Sequence, residues 1–178
     1  MKKNILAIVG SASRESSNLK LVQYLSLQMQ NDFSVEIFDA LSTLPHFNPE
    51  QTDTNTPKEI INMRNAISHV DGIIICTPEY IFSMPSGLKN LIEWCVSTTV
   101  FSKKAIGLIT ASAQGEKGHE ELKLVMKTVE TIFTEDTTLL IQGVKGKIDA
   151  EGNIRSEELK KDLAVFVKHF SELVYRSS

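Results

Sequence analysis

Three runs in this chain, residues 5–9, 73–76 and 105–109, are apolar at every position. A strand with one wet face alternates apolar and polar side chains. Uninterrupted runs therefore demand cover on both faces, as inside a parallel sheet enclosed by two helix layers. Residues 138–141 follow the same pattern less cleanly. Residues 33–37 (Phe-Ser-Val-Glu-Ile) do alternate and read as a strand near an edge of the sheet.

Helical patterns occupy the intervals. Residues 17–30 carry Leu19, Val22, Leu25 and Met29 on one stripe, and residues 57–69 carry Ile60, Ile61, Met63 and Ile67. Residues 85–97, 120–133 and 156–175 repeat the spacing, the last through Leu159, Leu163, Phe166, Phe170 and Val174. Strict alternation of strand and helix predicts an α/β fold: a doubly wound five-stranded parallel sheet, order 2-1-3-4-5, with helices on both faces. In such sheets ligands bind beyond the carboxyl ends of the strands, where the winding reverses. Function is accordingly sought just after Val9, Cys76 and Ile109.

The length of 178 residues suits a single domain spanning 1–178. Nineteen basic against 22 acidic residues leave a net charge of -3, with no cationic excess to neutralise a nucleic-acid backbone. The first apolar run is shorter than the ~7 residues of a secretory signal core, and none approaches the ~18 of a membrane span. A cytoplasmic enzyme is the expectation. Cys76 and Cys95 form no C-x-x-C pair and read as buried small side chains. The four histidines fall in no metal or nucleophile signature and read as structural or solvated.

Three loops carry the chemistry. After the first strand comes Gly10-Ser-Ala-Ser-Arg-Glu-Ser-Ser-Asn18, a run of hydroxyls with one cation leading into a helix. Backbone N–H groups, hydroxyls and the helix dipole can together hold a phosphate there. It is neither G-x-G-x-x-G nor G-x-x-x-x-G-K-[ST], so no dinucleotide or triphosphate fingerprint is present. The loop after the third strand, residues 77–90, is stiffened by Pro78 and Pro85 and is rich in large apolar groups, which suits a flat aromatic ligand. The loop after the fourth, residues 110–118, is made of small residues and glycine and permits close backbone approach. Residues 143–153 read as a small hairpin-like surface excursion.

Gly10-Ser11 with Ser13, Arg14, Ser16 and Asn18, then Thr77-Pro78-Glu79-Tyr80 with Pro85, Leu88-Lys89-Asn90 and Trp94, then Ala111-Ser112 and Gly115, resemble the NADPH-dependent FMN reductases of the flavodoxin-like superfold. The resemblance runs nearly the whole chain in order, and residues 77–94 are its most specific part. It implies FMN as cofactor, NADPH or NADH as donor, and a small acceptor such as a quinone, azo compound, metal oxyanion or free flavin. Ser11, Ser13, Arg14, Ser16, Ser17 and Asn18 become phosphate-loop candidates, with the contact itself open between Ser13 and Arg14. Pro78, Glu79, Tyr80, Ser112 and Gly115 become flavin-ring candidates. Ile81 stands where the family commonly has Asn, so contact at that position falls to backbone. No protein residue is expected to be catalytic, because the flavin carries the chemistry.

The family's oligomeric habit and the apolar loop residues Tyr80, Ile81, Phe82 and Met84 imply a homodimer or homotetramer with this loop near the interface. The alternative function is a flavodoxin-like carrier or sensor whose flavin another protein reduces. A receiver domain of the same topology fails, because Gly10-Ser11 and Thr77-Pro78 stand where it needs acids.

Overall fold

The computed structural model describes residues 2–13 and 15–177. Five parallel strands, β1 (Lys3–Val9), β2 (Phe33–Phe38), β3 (Gly72–Thr77), β4 (Ala105–Ser112) and β5 (Thr138–Gln142), form one sheet in the order β2-β1-β3-β4-β5. The order read from the sequence is the order found.

The uninterrupted runs divide by parity, because successive side chains on a strand point to opposite faces. Ile5, Ala7 and Val9 of β1, with Ile74, Cys76 and Ile109, enter one core, while Leu6, Ile8, Ile73, Ile75, Ile106 and Leu108 enter the other. The first core is closed by α1 (Ser17–Met29) and by the long C-terminal helix α6 (Glu157–Arg176). The second is closed by α2 (Lys58–His69), α3 (Ser86–Cys95) and α4 (Glu116–Thr128). Phe166 and Phe170 stack 6.1 Å apart beneath the sheet. β2 shows the mixed burial expected of an edge strand.

Two expectations are corrected. The fourth helix was expected over residues 120–133, but α4 spans Glu116–Thr128. Ile132 lies beyond it: its N–H donates to the Lys104 carbonyl at 2.8 Å, and its own carbonyl accepts from Ile106 N–H at 2.9 Å. Its backbone extends the edge of β4, and its side chain is exposed rather than part of a helix stripe. Residues 143–153 are only partly hairpin-like. They open with a one-turn helix, α5 (Val144–Lys147), before Ile148 and Ile154 pair antiparallel.

Both cysteines are buried and unpaired. Burial pushes the Cys76 thiol far above its ordinary range and the Cys95 thiol up to about 12, the latter opposed by the nearby Arg64 cation. Neither forms a thiolate nucleophile near neutral pH.

Candidate functional site

Parallel pairing sets the strand ends side by side: Val9 is in register with Cys76, Thr77 with Thr110, and Ser112 with Gln142. Beyond them opens a cleft of about 750 Å³, within the range of small-molecule sites. Ser11, Ser13, Glu15, Ser16, Ser17 and Asn18 form one wall. Pro78, Glu79 and Tyr80 form a second, and Ala111, Ser112 and Ala113 a third. Residues 143–146 complete it. The three loops singled out in the sequence therefore do converge.

The first loop begins at Gly10, whose N–H donates to the Cys76 carbonyl at 2.8 Å. A Cβ there would lie 2.2 Å from Thr77 Oγ1, so the close approach of β1 to β3 excludes any side chain. Ser11 Oγ then accepts from Ser13 N–H at 3.2 Å, which bends the loop back on itself. Ser16 is the N-cap of α1, its hydroxyl accepting from Leu19 N–H at 3.1 Å. Ser17 opens the helix. Arg14 lies outside the described residues.

Asn18 faces inward. It is buried, its side-chain N–H donates to the Ala111 carbonyl at 3.2 Å, and its amide oxygen accepts from the Cys76 thiol at 3.3 Å. One amide thus ties α1 to the ends of β3 and β4. Nearby, His119 Nδ1 lies 2.9 Å from the Thr110 hydroxyl. Burial, then the Lys123 cation, holds that imidazole below its ordinary range and keeps it neutral at neutral pH.

The second wall is latched to α4 at two points. The Glu79 carboxylate accepts from Gly118 N–H at 2.7 Å in the first turn of α4, where the helix dipole favours an anion. In return, Glu121 of α4 accepts from Met84 N–H at 3.0 Å. Between the latches, Tyr80 and Ser83 exchange backbone hydrogen bonds of 2.9 and 3.1 Å. Ile81 and Phe82 fill the intervening turn with φ of 52° and 60°. Left-handed backbone costs roughly 1–2 kcal/mol per ordinary residue and more for a β-branched one, whereas Asn tolerates it. The family's usual Asn and this chain's strained Ile thus occupy the same turn.

Not every candidate lines the cleft. Ile81 is 95% exposed at the turn's tip, away from it. Gly115 is not on the wall either. Its φ of 93° makes it the left-handed N-cap of α4, so it shapes the third loop from behind. Of the expected apolar interface set, Tyr80, Ile81 and Phe82 are exposed, but Met84 is buried in the second core. The sequence reading missed residues 143–146. Gly143, at φ 62°, donates its N–H to the Ala113 carbonyl at 3.1 Å, which brings Lys145 to the rim. Lys145 is the one cation lining the cleft among the described residues, and its ammonium has no partner among them.

A sheet of this order with a polar, helix-capped loop facing two backbone-rich loops across a cleft is a flavodoxin-like cofactor site. The profile of the family described as NADPH-dependent FMN reductase matches residues 3–145. A 2-hydroxy-1,4-benzoquinone reductase from Burkholderia is 30% identical, over 98% of this chain and 97% of its own. An NAD(P)H-dependent FMN reductase from Pseudomonas aeruginosa is 27% identical over 88% and 87%. In fold, the chain is similar to FerB, a flavoenzyme NAD(P)H:(acceptor) oxidoreductase from Paracoccus denitrificans, with a TM-score of 0.84, 23% identity and 98% of each chain covered. The chain belongs to the NADPH-dependent FMN reductase family and is a flavoprotein oxidoreductase that uses FMN with NAD(P)H as electron donor.

The Asn18 tie yields a direct test. Asn18→Ala leaves a buried carbonyl and a buried thiol without their partner, a loss of about 1–3 kcal/mol in stability. Urea denaturation measures it. A change within ~0.5 kcal/mol, as at an ordinary surface site, contradicts the structural role.

Proposed function

We propose that residues 1–178 act as a single cytoplasmic domain that reduces a small quinone at the expense of NAD(P)H. The observation that carries this reading is the convergence of four backbone-rich segments on one cleft, in a chain whose end-to-end relative is a 2-hydroxy-1,4-benzoquinone reductase. FMN held in the cleft would supply the redox chemistry, hydride uptake from NAD(P)H and transfer of two electrons to the acceptor.

The protein's part is to bind and orient. Ser11, Ser13 and Ser17, with backbone N–H groups at the start of α1, make the phosphate end, and Arg14 and Lys145 supply positive charge. Ser16 and Asn18 act as positioning residues, because their side chains are engaged by Leu19, Ala111 and Cys76. Backbone at Pro78, Glu79 and Tyr80 and at Ser112 frames the ring. The Glu79 carboxylate serves to latch this wall to α4.

Purified protein with excess FMN should retain the flavin, with a shifted spectrum that NADPH bleaches in the absence of oxygen. Failure to retain FMN at micromolar concentration overturns the reading, and retention without bleaching favours the carrier or sensor. Lys145→Gln or Arg14→Ala should each weaken FMN by about one to two orders of magnitude, the worth of a charge-assisted contact, and spare riboflavin, which lacks the phosphate. Equal losses for both ligands would move the phosphate site elsewhere.

We further propose a homodimer or homotetramer that buries the turn around Ile81 and Phe82, which are 95% and 70% exposed. Exposed apolar groups on a strained turn are costly for a free surface and suited to a protein contact. Light scattering should report an oligomer, and Ile81→Asp should dissociate it. A monomer at micromolar concentration overturns this reading.

A further inference from the structure

The turn that forms the second wall is built against its own backbone preference. Pro78, Glu79 and Tyr80 line the cleft, and the next two residues, Ile81 and Phe82, stand at φ of 52° and 60°. Glycine or asparagine adopts that left-handed backbone readily, whereas a β-branched side chain opposes it. The paired backbone hydrogen bonds of Tyr80 and Ser83 close the turn without relieving either residue. Both strained side chains are exposed, so packing within the chain does little to offset the strain.

What holds the turn is α4. Gly118 and Glu121 are three residues apart and so share one face of that helix. Gly118 N–H donates to the Glu79 carboxylate at 2.7 Å, and the Glu121 carboxylate accepts from Met84 N–H at 3.0 Å. The two bonds grip the turn on either side of its strained pair. At the first grip the approach is close: a Cβ on Gly118 would lie 3.0 Å from Glu79 Cγ and 3.1 Å from Glu79 Cβ. At the second, Met84 is buried in the same core as Leu122 and Met126 of α4, so packing and the hydrogen bond fix it together.

We propose that Glu121 is a positioning residue for flavin reduction: it holds Met84, and through Met84 keeps the Tyr80 backbone in the place that Ile81 opposes. The proposal rests on the cleft being the FMN site. Glu79 belongs to the wall itself, whereas Glu121 does not line the cleft, so its latch can be removed without changing any lining residue. Freed of that latch, the turn relaxes toward negative φ at residue 81 and carries the Tyr80 peptide with it. A displacement of about 1 Å at a reacting centre can cost ~10²-fold in rate, so a smaller shift of the ring's frame should cost about tenfold.

The test is the rate at which saturating NADPH bleaches bound FMN without oxygen, together with the affinities for FMN and riboflavin. Alanine and glutamine both suit a helix, so substitution at position 121 keeps α4 intact. In Glu121→Ala, bleaching should slow by about tenfold, the cost of a displaced frame, and FMN and riboflavin should weaken equally, because the wall meets the ring that both share. Glu121→Gln keeps an acceptor oxygen for Met84 N–H and should restore the native rate. Ile81→Asn places at the turn the residue that tolerates its φ, so adding Glu121→Ala to Ile81→Asn should slow bleaching far less than Glu121→Ala does alone. Each comparison at position 121 is made within one background, so any effect of residue 81 on assembly cancels. A role confined to overall stability would not depend on residue 81. An unchanged rate in Glu121→Ala, a Glu121→Gln variant as slow as the alanine one, or the same loss in both backgrounds overturns the positioning role. A native protein that retains no FMN would instead overturn the cofactor reading beneath it.

Discussion

The burial of both faces of β1, β3 and β4 is the constraint on which the rest depends. Side chains of alternating parity fill two separate cores, and neither core forms unless α1 and α6 cover one face and α2, α3 and α4 the other. Parallel pairing then places the carboxyl ends of the strands next to each other, so the loops that leave them meet without further instruction. The apolar interior fixes where a polar site must be, while the chemistry of that site is left to the loops.

Polar residues around the cleft divide into two sets. Ser16, Asn18, Glu79 and Glu121 spend their hydrogen-bonding capacity within the protein, capping α1, joining it to β3 and β4, and latching the Tyr80 turn to α4. Each such bond is worth only about 1 kcal/mol net, more where a carboxylate is involved, yet together they hold a strained turn and an open cleft in one shape before any ligand arrives. Lys145, at the rim of the cleft, keeps its side chain free among the described residues.

Sheet order and four of the five long helices were legible because they rest on period and parity, which the sequence displays directly, whereas α4 begins four residues before the stripe read for it. The loop at residues 10–18 was legible as a whole, but the direction in which Asn18 faces was not, since its partners Cys76 and Ala111 are distant in sequence. The same holds for Glu79: its acceptor role depends on Gly118, which only the fold brings within reach. Residues 143–146 read as a surface turn because glycine and lysine between polar neighbours carry no period. Their place on the cleft follows from the hydrogen bond between Gly143 and Ala113. Ile81 and Gly115 were assigned to the ring by motif, and both shape the loops from outside the cleft.

The central claim is that one cleft at the strand ends holds the cofactor. Backbone amide shifts recorded by NMR during a titration with FMN test it most directly. The account predicts the largest shifts at Ser11, Ser13, Ser17, Ser112, Gly143 and Lys145, with small ones on α2 and α6. Shifts centred away from the carboxyl ends of β1, β3 and β4, or none on saturation with FMN, would contradict it.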